Sequence, residues 1–310
     1  MKTIQLTYPM SIQEEIPATV AAIGFFDGIH IGHQQVIKSA VLEAKQRNME
    51  SAVITFHPHP SAVLKKEAGQ IQYITPLAEK KAILENLYVD RLYIITFNQE
   101  LSRLLPAQFI DYFIVGLNIK HLVAGFDYTY GFKGKGNMAT IDEYAQGRFT
   151  HTIIEKLDLI DEKVSSTRIR ECLSEGDIVT ANLLLSRPLR MSGIVEKGDQ
   201  RGRTIGYPTA NIKIDDQALL PKLGVYAVHV YHQDKKYYGM ANIGVRPTFK
   251  EGYVQPSVEV NILDFNQEIY NKEVQIELLQ FIRPEKKFEG IDMLIAQIAE
   301  DEKKIRSFFA

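Results

Sequence analysis

The segment that decides the fold is residues 19–33, TVAAIGFFDGIHIGH. It begins with a short apolar run, Thr19–Gly24, typical of a buried strand, and a helical pattern follows from about His33 to Arg47. Glycines permit a tight turn between the two and let a phosphate approach the backbone. The start of a helix also presents free N–H groups and a positive dipole to an anion. This order predicts a phosphate site at the start of an α/β unit.

Two histidines, His30 and His33, open the predicted helix three positions apart and therefore on one face. Imidazoles there can donate hydrogen bonds to a triphosphate as its bridging oxygen gathers charge. A plainer interpretation is a capping turn with two surface histidines, but strand, glycines, histidines and helix in this order favour a nucleotide site. These histidines are the candidate catalytic residues of the segment. Its candidate phosphate-binding residues are Gly24, Phe26, Asp27 and Gly28.

Apolar strands alternate with amphipathic helices through the first half of the chain. Further strands are predicted at Ser51–Phe56, Asp90–Phe97 and His121–Gly125, and helices at Ala78–Leu87 and Leu101–Leu117. This alternation indicates a parallel sheet with right-handed crossovers. Ligands of such sheets bind beyond the carboxyl ends of the strands, where the glycine-rich segment falls.

The pattern changes after helices at Ser165–Leu185 and a predicted linker at Ser186–Met191. Short β-rich segments separated by Gly, Pro and Asn then predict an antiparallel sandwich or barrel, and an amphipathic helix closes the chain at 289–309. The β-rich segments are Val225–Tyr231, Lys236–Ile243, Val258–Leu263 and Val274–Ile282. We therefore predict two domains, 1–186 and 187–310.

Composition excludes several classes of protein. The 310 residues are 45% hydrophobic and 24% charged, which suits two globular domains. The single cysteine, Cys172, cannot form an internal disulfide, so a reducing, cytoplasmic setting is expected. The first residues lack the apolar core of a secretion signal, and no apolar run approaches the ~18 residues that span a bilayer. No membrane partner is expected.

The charge balance points to small-molecule partners. Residues 1–186 contain 18 Lys+Arg and 21 Asp+Glu, and residues 187–310 contain 18 and 17. A nucleic-acid-binding domain usually carries a basic excess, which neither half has, so no nucleic acid is expected. The oligomeric state leaves no signature in the sequence, and a weak homo-oligomer stays open.

The His-x-Gly-His of residues 30–33 resembles the HIGH-signature nucleotidyltransferases, and GFFDGIHIGH resembles the bacterial FAD synthetases in particular. Three later segments are similar to motifs of the same family: Thr55–Pro60 (TFHPHP), Gly125–Gly131 (GFDYTYG) and Val164–Arg170 (VSSTRIR). Taken singly, the first is more often a proline turn, the second is also consistent with strand-end packing, and the third is more often a helix N-cap. Together and in this order they point to one family.

This resemblance implies adenylyl transfer from ATP to flavin mononucleotide (FMN), with His30 and His33 stabilising the α-phosphoryl group and the leaving pyrophosphate. The acceptor phosphate is already an anion, so positioning and charge stabilisation should carry the rate. The residues that the resemblance implies for the triphosphate are Ser166, Thr167 and Arg168, and those for FMN or ATP placement are His57 and Asp127.

A second glycine-rich segment, residues 198–211 (GDQRGRTIGYPTAN), lacks the order of a Walker loop and could be a basic β-turn. Thr209 and Asn211 would share one face of a strand, and their oxygens suit Mg²⁺ beside phosphates. The segment resembles the riboflavin kinase domain, commonly fused behind FAD synthetase in bacteria, and Asn242–Phe249 (NIGVRPTF) is similar to another of its elements. The candidate residues are Thr209 and Asn211 for the metal, and Gly198, Arg203 and Gly206 for the nucleotide.

Phosphorylation of a neutral alcohol needs a group that accepts the proton. Glu259 lies in an otherwise apolar strand, on the face opposite Val258 and Val260. The residues alone favour a solvent-facing glutamate, whereas the resemblance implies the catalytic base. The chain departs from many relatives in having Asn261 in place of His and Asn271 in place of Gly.

The resemblance runs from about Ala18 to the C-terminus and implies a bifunctional riboflavin kinase and FAD synthetase. The implied fold is a Rossmann-like α/β nucleotidyltransferase domain with a parallel sheet, then a six-stranded antiparallel β-barrel with a C-terminal helix. The kinase would make FMN from riboflavin and ATP, and the N-terminal domain would convert FMN and ATP to FAD and pyrophosphate, both with Mg²⁺.

Three other interpretations stay open at this point. A cytidylyl- or pantetheine-phosphate adenylyltransferase would leave the PTAN-bearing half without a role. A tRNA- or nucleic-acid-binding module would use the HIGH tetrapeptide and a barrel, against the charge balance. A degenerate flavin-sensing regulator would be at odds with intact motifs at both sites.

Overall fold

The computed structural model describes residues 1–9, 15–64, 71–159, 162–198, 201–247 and 254–310. The chain forms two compact units, one of Met1–Ile71 with Leu77–Ser165 and one of Gln72–Pro76 with Ser166–Ala310. Within the described ranges, no helix combines the length and the apolar character that crossing a membrane requires.

The first unit alternates strands and helices. Its strands are β1 (Lys2–Thr7), β2 (Thr19–Ile23), β3 (Glu50–His57), β4 (Arg91–Thr96), β5 (Ile119–Gly125), β6 (Thr129–Tyr130), β7 (Gly136–Asn137), β8 (Thr150–Ile154), β9 (Asp158–Leu159) and β10 (Glu162–Lys163). Its helices are α1 (Ile31–Gln46), α2 (Pro60–Leu64), α3 (Leu77–Asn86), α4 (Pro106–Ile110) and α5 (Ile141–Ala145).

Six of these strands form one parallel sheet in the order β1-β4-β3-β2-β5-β8. Apolar clusters cover both faces: Ile37 of α1 and Leu84 of α3 lie in one, and Phe109 and Phe113 lie in the other. All five residues of the central strand β2 are buried. From β2 the chain continues to β3 on one side, while β5 pairs on the other, so the strand order reverses beyond the end of β2. A crevice that binds ligands is expected at such a reversal.

The second unit begins with two helices and closes into a barrel. Its helices are α6 (Ser166–Glu175), α7 (Ile178–Leu185), α8 (Arg201–Thr204) and α9 (Ile291–Phe309). Its strands are β11 (Leu189–Glu196), β12 (Ala210–Ile214), β13 (Gly224–His232), β14 (Lys235–Pro247), β15 (Val254–Ile262) and β16 (Glu273–Pro284). The barrel order is β11-β12-β15-β14-β13-β16.

Barrel residues alternate between the interior and an outer face that α9 covers. In β13, Tyr226 and Val228 are fully buried. The alternate residues of the same strand, Val225 and Ala227, pack in a cluster with Ile305 of α9. This placement leaves part of the outer face available to form a site beneath α9.

The predicted fold class is confirmed, a parallel α/β sheet followed by a six-stranded antiparallel barrel with a C-terminal helix. The continuous helix predicted at 101–117 is wrong: it is a 3₁₀ turn at Leu101–Arg103, then α4, then a π turn at Asp111–Val115. Pro106 disfavours helical backbone at the preceding residue, so α4 begins at the proline. The linker predicted at 186–191 is also wrong at its end, because β11 starts at Leu189. The domain boundary at 186/187 stays a prediction.

Candidate active sites

The first candidate site is the loop between β2 and α1, at the reversal of strand order. Phe26, Gly28 and Ile29 have φ of 53°, 85° and 40°, so the loop backbone turns through left-handed conformations three times. A side chain at Gly24 would lie 2.8 Å from the Phe26 ring, which explains why a glycine ends the strand. Asp27 and His30 are almost fully buried at 4% and 6% exposure.

His30 and His33 lie together where α1 begins. The His33 backbone N–H donates to Nδ1 of His30 at 3.2 Å, which makes His30 the N-cap. The two rings stack with centroids 3.5 Å apart and planes 19° apart. Because Nδ1 of His30 accepts a hydrogen bond, Nε2 is the ring nitrogen that can carry a proton. That N–H is the kind of donor a phosphate oxygen requires.

The structure brings the second motif against this loop. Thr55 Oγ1 in β3 donates to the Phe25 carbonyl at 2.9 Å, and the Phe25 ring contacts the His59 ring edge-on at 4.3 Å. His59 Nδ1 in turn lies 2.6 Å from Ser61 Oγ. His57 is the last residue of β3 and is half-buried. Two motifs 30 residues apart in sequence therefore meet through Phe25.

Lys80 of α3 lies beneath the same loop and was missed by the sequence analysis. Its Nζ donates to the Phe25 carbonyl at 2.7 Å, lies 3.4 Å from Thr55 Oγ1, and stands 4.7 Å from the centre of the Phe25 ring. Burial lowers the pKa of Lys80 to about 8, although the Asp27 carboxylate opposes the change. Lys80 precedes the buried Leu84 by four residues and therefore lies on the core face of the helix. A lysine at such a position is the sequence signal that could have identified it.

The remaining motifs of the first half fall in different units. Asp127 follows β5 and is exposed, with Oδ2 2.8 Å from Nζ of Lys163, whose ammonium also lies 4.9 Å from the centre of the Phe126 ring. Ser166, Thr167 and Arg168 are the first three residues of α6 and belong to the second compact unit. The structure therefore places His30, His33, His57 and Asp127 on the first unit and Ser166, Thr167 and Arg168 on the second.

In the barrel, Glu259 lies in a row of directly paired residues. Strand register places it opposite Asn211 of β12 on one side and Asn242 of β14 on the other. The row continues from Asn242 to Val225 and from Val225 to Arg283. Directly opposite residues share a face of a sheet, so a carboxylate is flanked by two carboxamides on the outer face. Its sequence neighbours Val258 and Val260 are buried inside the barrel, as the alternation predicted.

A cavity of about 330 Å³ lies between this row and α9. Apolar residues supply much of its wall, and its polar lining residues include Thr209, Asn242, Glu259, Asn261, Arg283 and Asp301. Arg283 Nε and Nη2 both lie 2.8 Å from Oδ2 of Asp301, which is fully buried in α9. An apolar cleft with a few convergent polar groups is the usual form of a small-molecule site. Asn242, Arg283 and Asp301 received no role in the sequence analysis.

The second glycine-rich loop lies beside this cavity. Gly198 packs against the Asn211 carboxamide, and Gly202 accepts a 2.8 Å hydrogen bond from the Tyr207 N–H. Gly206 has a φ of 86°, and a side chain there would meet open space. Asn261 Nδ2 donates to the Pro208 carbonyl at 2.8 Å, so this departure from many relatives has a structural role in holding the loop.

Thr209 lines the 330 Å³ cavity and also a second cavity of about 240 Å³. The second cavity is walled by Arg203 and Pro208 and by residues of the 265–270 loop. Of the motifs singled out in the sequence, positions 199 and 200 and the last two residues of NIGVRPTF lie outside the described residues.

Both halves of the chain match known families. A sequence model described as FAD synthetase matches residues 12–168, and one described as riboflavin kinase matches residues 185–309. A Listeria monocytogenes protein named bifunctional riboflavin kinase/FMN adenylyltransferase is 48% identical over 100% of this chain and 99% of its own length. A Bacillus subtilis protein of the same name is 46% identical, again over 100% and 99%. The chain belongs to the bifunctional riboflavin kinase/FMN adenylyltransferase family.

A solved structure with the same architecture carries a different description. A Streptococcus pneumoniae chain described as a macrolide-efflux protein matches with a TM-score of 0.90 at 35% identity, over 99% of both chains. That description names another activity than the curated relatives do. The match covers both the α/β unit and the barrel.

Family membership confirms the predicted order of enzyme domains, FAD synthetase first and riboflavin kinase second. It excludes the interpretation as a cytidylyl- or pantetheine-phosphate adenylyltransferase, because that interpretation left the second half unexplained. The match to FAD synthetase ends at Arg168. It therefore includes residues 165–168 (SSTR), the last three of which are the first residues of α6.

Proposed function

We propose that the barrel phosphorylates riboflavin to FMN and that the α/β unit then adenylylates FMN to FAD, with ATP as the co-substrate of both reactions. The observation that carries the proposal is the paired row Asn211–Glu259–Asn242, of which Glu259 and Asn242 line the 330 Å³ cavity. A single carboxylate between two amides, facing a largely apolar cleft, suits the activation of one hydroxyl of an apolar ring compound.

Glu259 serves as the general base of the kinase reaction. The riboflavin hydroxyl gives its proton to the Glu259 carboxylate while its oxygen attacks the γ-phosphorus of ATP and ADP departs. Thr209 borders both cavities, so we assign the larger one to riboflavin and the smaller one to ATP. The γ-phosphoryl group then passes from ATP in the smaller cavity to riboflavin in the larger one beside Thr209. Gly198, Arg203 and Gly206 would border the nucleotide.

The donor set beside Glu259 fits Mg²⁺. Thr209 and Asn211 offer a hydroxyl and a carboxamide oxygen, which are hard ligands. The described residues contain no cluster of three His, Cys, Asp or Glu that would form an all-protein metal cage. This suits Mg²⁺, which is commonly bound through a few protein oxygens together with substrate phosphates and water. When bound, the ion would neutralise charge on the transferring phosphates.

The loop between β2 and α1 binds ATP for adenylyl transfer. An oxygen of the FMN phosphate attacks the α-phosphorus, and pyrophosphate leaves. His30, through its Nε2, and His33 stabilise the charge that develops on the phosphates. The loop residues proposed to border the phosphates are Gly24, Phe26, Asp27 and Gly28. Ser166, Thr167 and Arg168 hold the triphosphate, and His57 and Asp127 place FMN.

The proposed partners are small molecules: riboflavin, FMN and ATP. The near-balanced charge of each half supports this assignment over nucleic acid. The single cysteine supports a reducing, cytoplasmic setting.

Separating flavins chromatographically during incubation with riboflavin, ATP and Mg²⁺ tests the proposal. The wild-type chain should form FMN and then FAD. Glu259→Gln should abolish phosphorylation, with adenylylation of supplied FMN intact, and Glu273→Gln on exposed Glu273 of the same barrel is the matched control. His30→Ala/His33→Ala should have the reverse effect. Untouched riboflavin with the wild-type chain would refute the kinase assignment, and no FAD from supplied FMN would refute the other.

A further inference from the structure

A buried cation supports the loop that carries His30. Lys80 is 4% exposed, and its Nζ donates to the carbonyl of Phe25 at 2.7 Å. Thr55, which is fully buried, donates to the same oxygen at 2.9 Å. One backbone carbonyl therefore accepts from two side chains, one on α3 and one on β3. Neither side chain belongs to the loop that it holds.

Holding the Phe25 carbonyl sets the orientation of the whole peptide group between Phe25 and Phe26. The Phe25 C=O and the Phe26 N–H belong to one planar trans unit and point in opposite directions. Phe26 has a φ of 53°, a conformation that costs a non-glycine residue energy and persists where its surroundings impose it. Two donors on the preceding carbonyl supply that constraint, directly before Asp27, Gly28 and the N-cap His30.

We propose that Lys80 is a positioning residue for adenylyl transfer, holding the Phe25 carbonyl so that the loop from Gly24 to His30 keeps its phosphate-binding shape. The proposal rests on the proposed adenylyl-transfer site. A buried ammonium is an expensive way to stabilise a fold, since an apolar side chain of similar length would fill the space without a desolvation cost. Its position under a phosphate-binding loop points to the reaction rather than to packing.

Charge gives Lys80 a second effect on the same site. Among the described residues, Asp27 of the loop is the charged group that acts on its ammonium, whereas Phe25 and Thr55 are neutral. The pKa of Lys80, lowered by burial to about 8, means that its proton is lost in mildly alkaline solution. The loop then loses the charge-assisted hydrogen bond to the Phe25 carbonyl and the positive charge beneath the triphosphate site.

The kinase site on the same chain provides an internal reference for each variant. Lys80→Met keeps the length of the side chain without its charge and should lower kcat/KM for FMN adenylylation at least tenfold, leaving riboflavin phosphorylation unchanged. Lys81→Met, the same substitution one residue further along α3, is the matched control and should leave both activities unchanged. The loss should fall mainly on kcat, because the loop positions the groups that act in the transition state.

Thr55→Val tests the shared carbonyl by an independent route. It removes the second donor at nearly constant volume and should lower adenylylation about threefold. Since both donors act on one oxygen, the effects of Lys80→Met and Thr55→Val should not multiply in the double variant. If Lys80→Met fails to fold, as judged by circular dichroism, this variant and the pH profile of the wild type decide the proposal.

The pH profile separates a functional ammonium from a packing role. For the wild type, kcat/KM of adenylylation should fall above about pH 8, while phosphorylation on the same chain shows no such limb. Lys80→Arg retains its charge throughout that range, so its profile should lack the alkaline limb whatever its absolute rate.

Full adenylylation by Lys80→Met, an equal loss in Lys81→Met, or an alkaline limb that persists in Lys80→Arg would each overturn the proposal. A wild-type chain that makes no FAD from supplied FMN would instead refute the proposed function.

Discussion

Lys80 has a consequence for stability that is opposite in sign to its proposed role in catalysis. Burial lowers its pKa from an ordinary 10.5 to about 8, so below pH 8 the folded chain bears the cost of a buried charge. The pKa difference of 2.5 units corresponds to a destabilisation of the folded chain by about 3 kcal/mol. Replacing Lys80 by Met removes this cost but also loses the hydrogen bond to Phe25, which is worth about 1 kcal/mol. Lys80→Met should therefore be about 2 kcal/mol more stable than the wild type at pH 7.

This advantage should shrink as the pH rises. Between pH 8 and 10.5 the unfolded chain still binds the lysine proton and the folded chain does not, so wild-type stability increases with pH through that window. By pH 9.5 the wild type should recover about 2 kcal/mol of the difference. Urea unfolding followed by circular dichroism at pH 7 and pH 9.5 measures this, with Lys81→Met as the control. A pH-independent difference would contradict the buried charge.

At the scale of elements, the side chain of Asn182 links α7 to the barrel by hydrogen bonds. Asn182 Nδ2 donates to the Leu278 carbonyl of β16 at 2.8 Å, and its Oδ1 accepts from the Leu189 N–H of β11 at 2.8 Å. The helix thus satisfies backbone groups on two neighbouring strands. Asn182→Ala should cost about 2–3 kcal/mol, since two hydrogen bonds are lost and their partners stay partly buried.

Urea unfolding measures that cost, and Val179→Ala on an exposed position of α7 is the control, with an expected change below about 0.5 kcal/mol. The Asn182→Ala chain should also show a lower thermal midpoint for loss of kinase activity. An unchanged midpoint would mean that the two hydrogen bonds of Asn182 contribute nothing to the stability of the barrel.

The elements that the sequence predicted are those with a clear apolar pattern. Fully buried β2 and alternating β13 were found, whereas β1 (KTIQLT) was not, because a strand at the edge of the sheet is half polar. The short strand β12 (ANIKI) follows a glycine-rich loop, and its alternation extends over only five residues. Edge position and pairing partners depend on the whole sheet, so local sequence does not reveal them.

The sites divide in a similar way. Residues inside contiguous motifs, such as His30 and Glu259, could be predicted because their local pattern matches a known chemistry. Lys80 and Asp301 act on residues 55 and 18 positions away, and only folding brings each pair together. Both are charged groups at buried positions of helices, and that breach of the apolar pattern is the signal from which a sequence could locate them.

At the scale of the whole molecule, the proposed catalytic residues of the two reactions lie on separate frameworks. Glu259 and Asn211 depend on the register of the barrel, whereas His30 and His33 depend on the parallel sheet and the start of α1. We expect FMN made in the kinase reaction to be released into solution before it is adenylylated.

Mixing two defective variants tests this independence. Neither Glu259→Gln nor His30→Ala/His33→Ala should form FAD from riboflavin alone, because each lacks one reaction. The mixture should form FAD, since FMN released by the histidine variant is a substrate for the glutamate variant. FAD formation should begin after a lag in which FMN accumulates, and supplied FMN should abolish that lag. If each variant retains its own activity and the mixture still forms no FAD, FMN does not leave the chain that makes it, and the two sites operate as one.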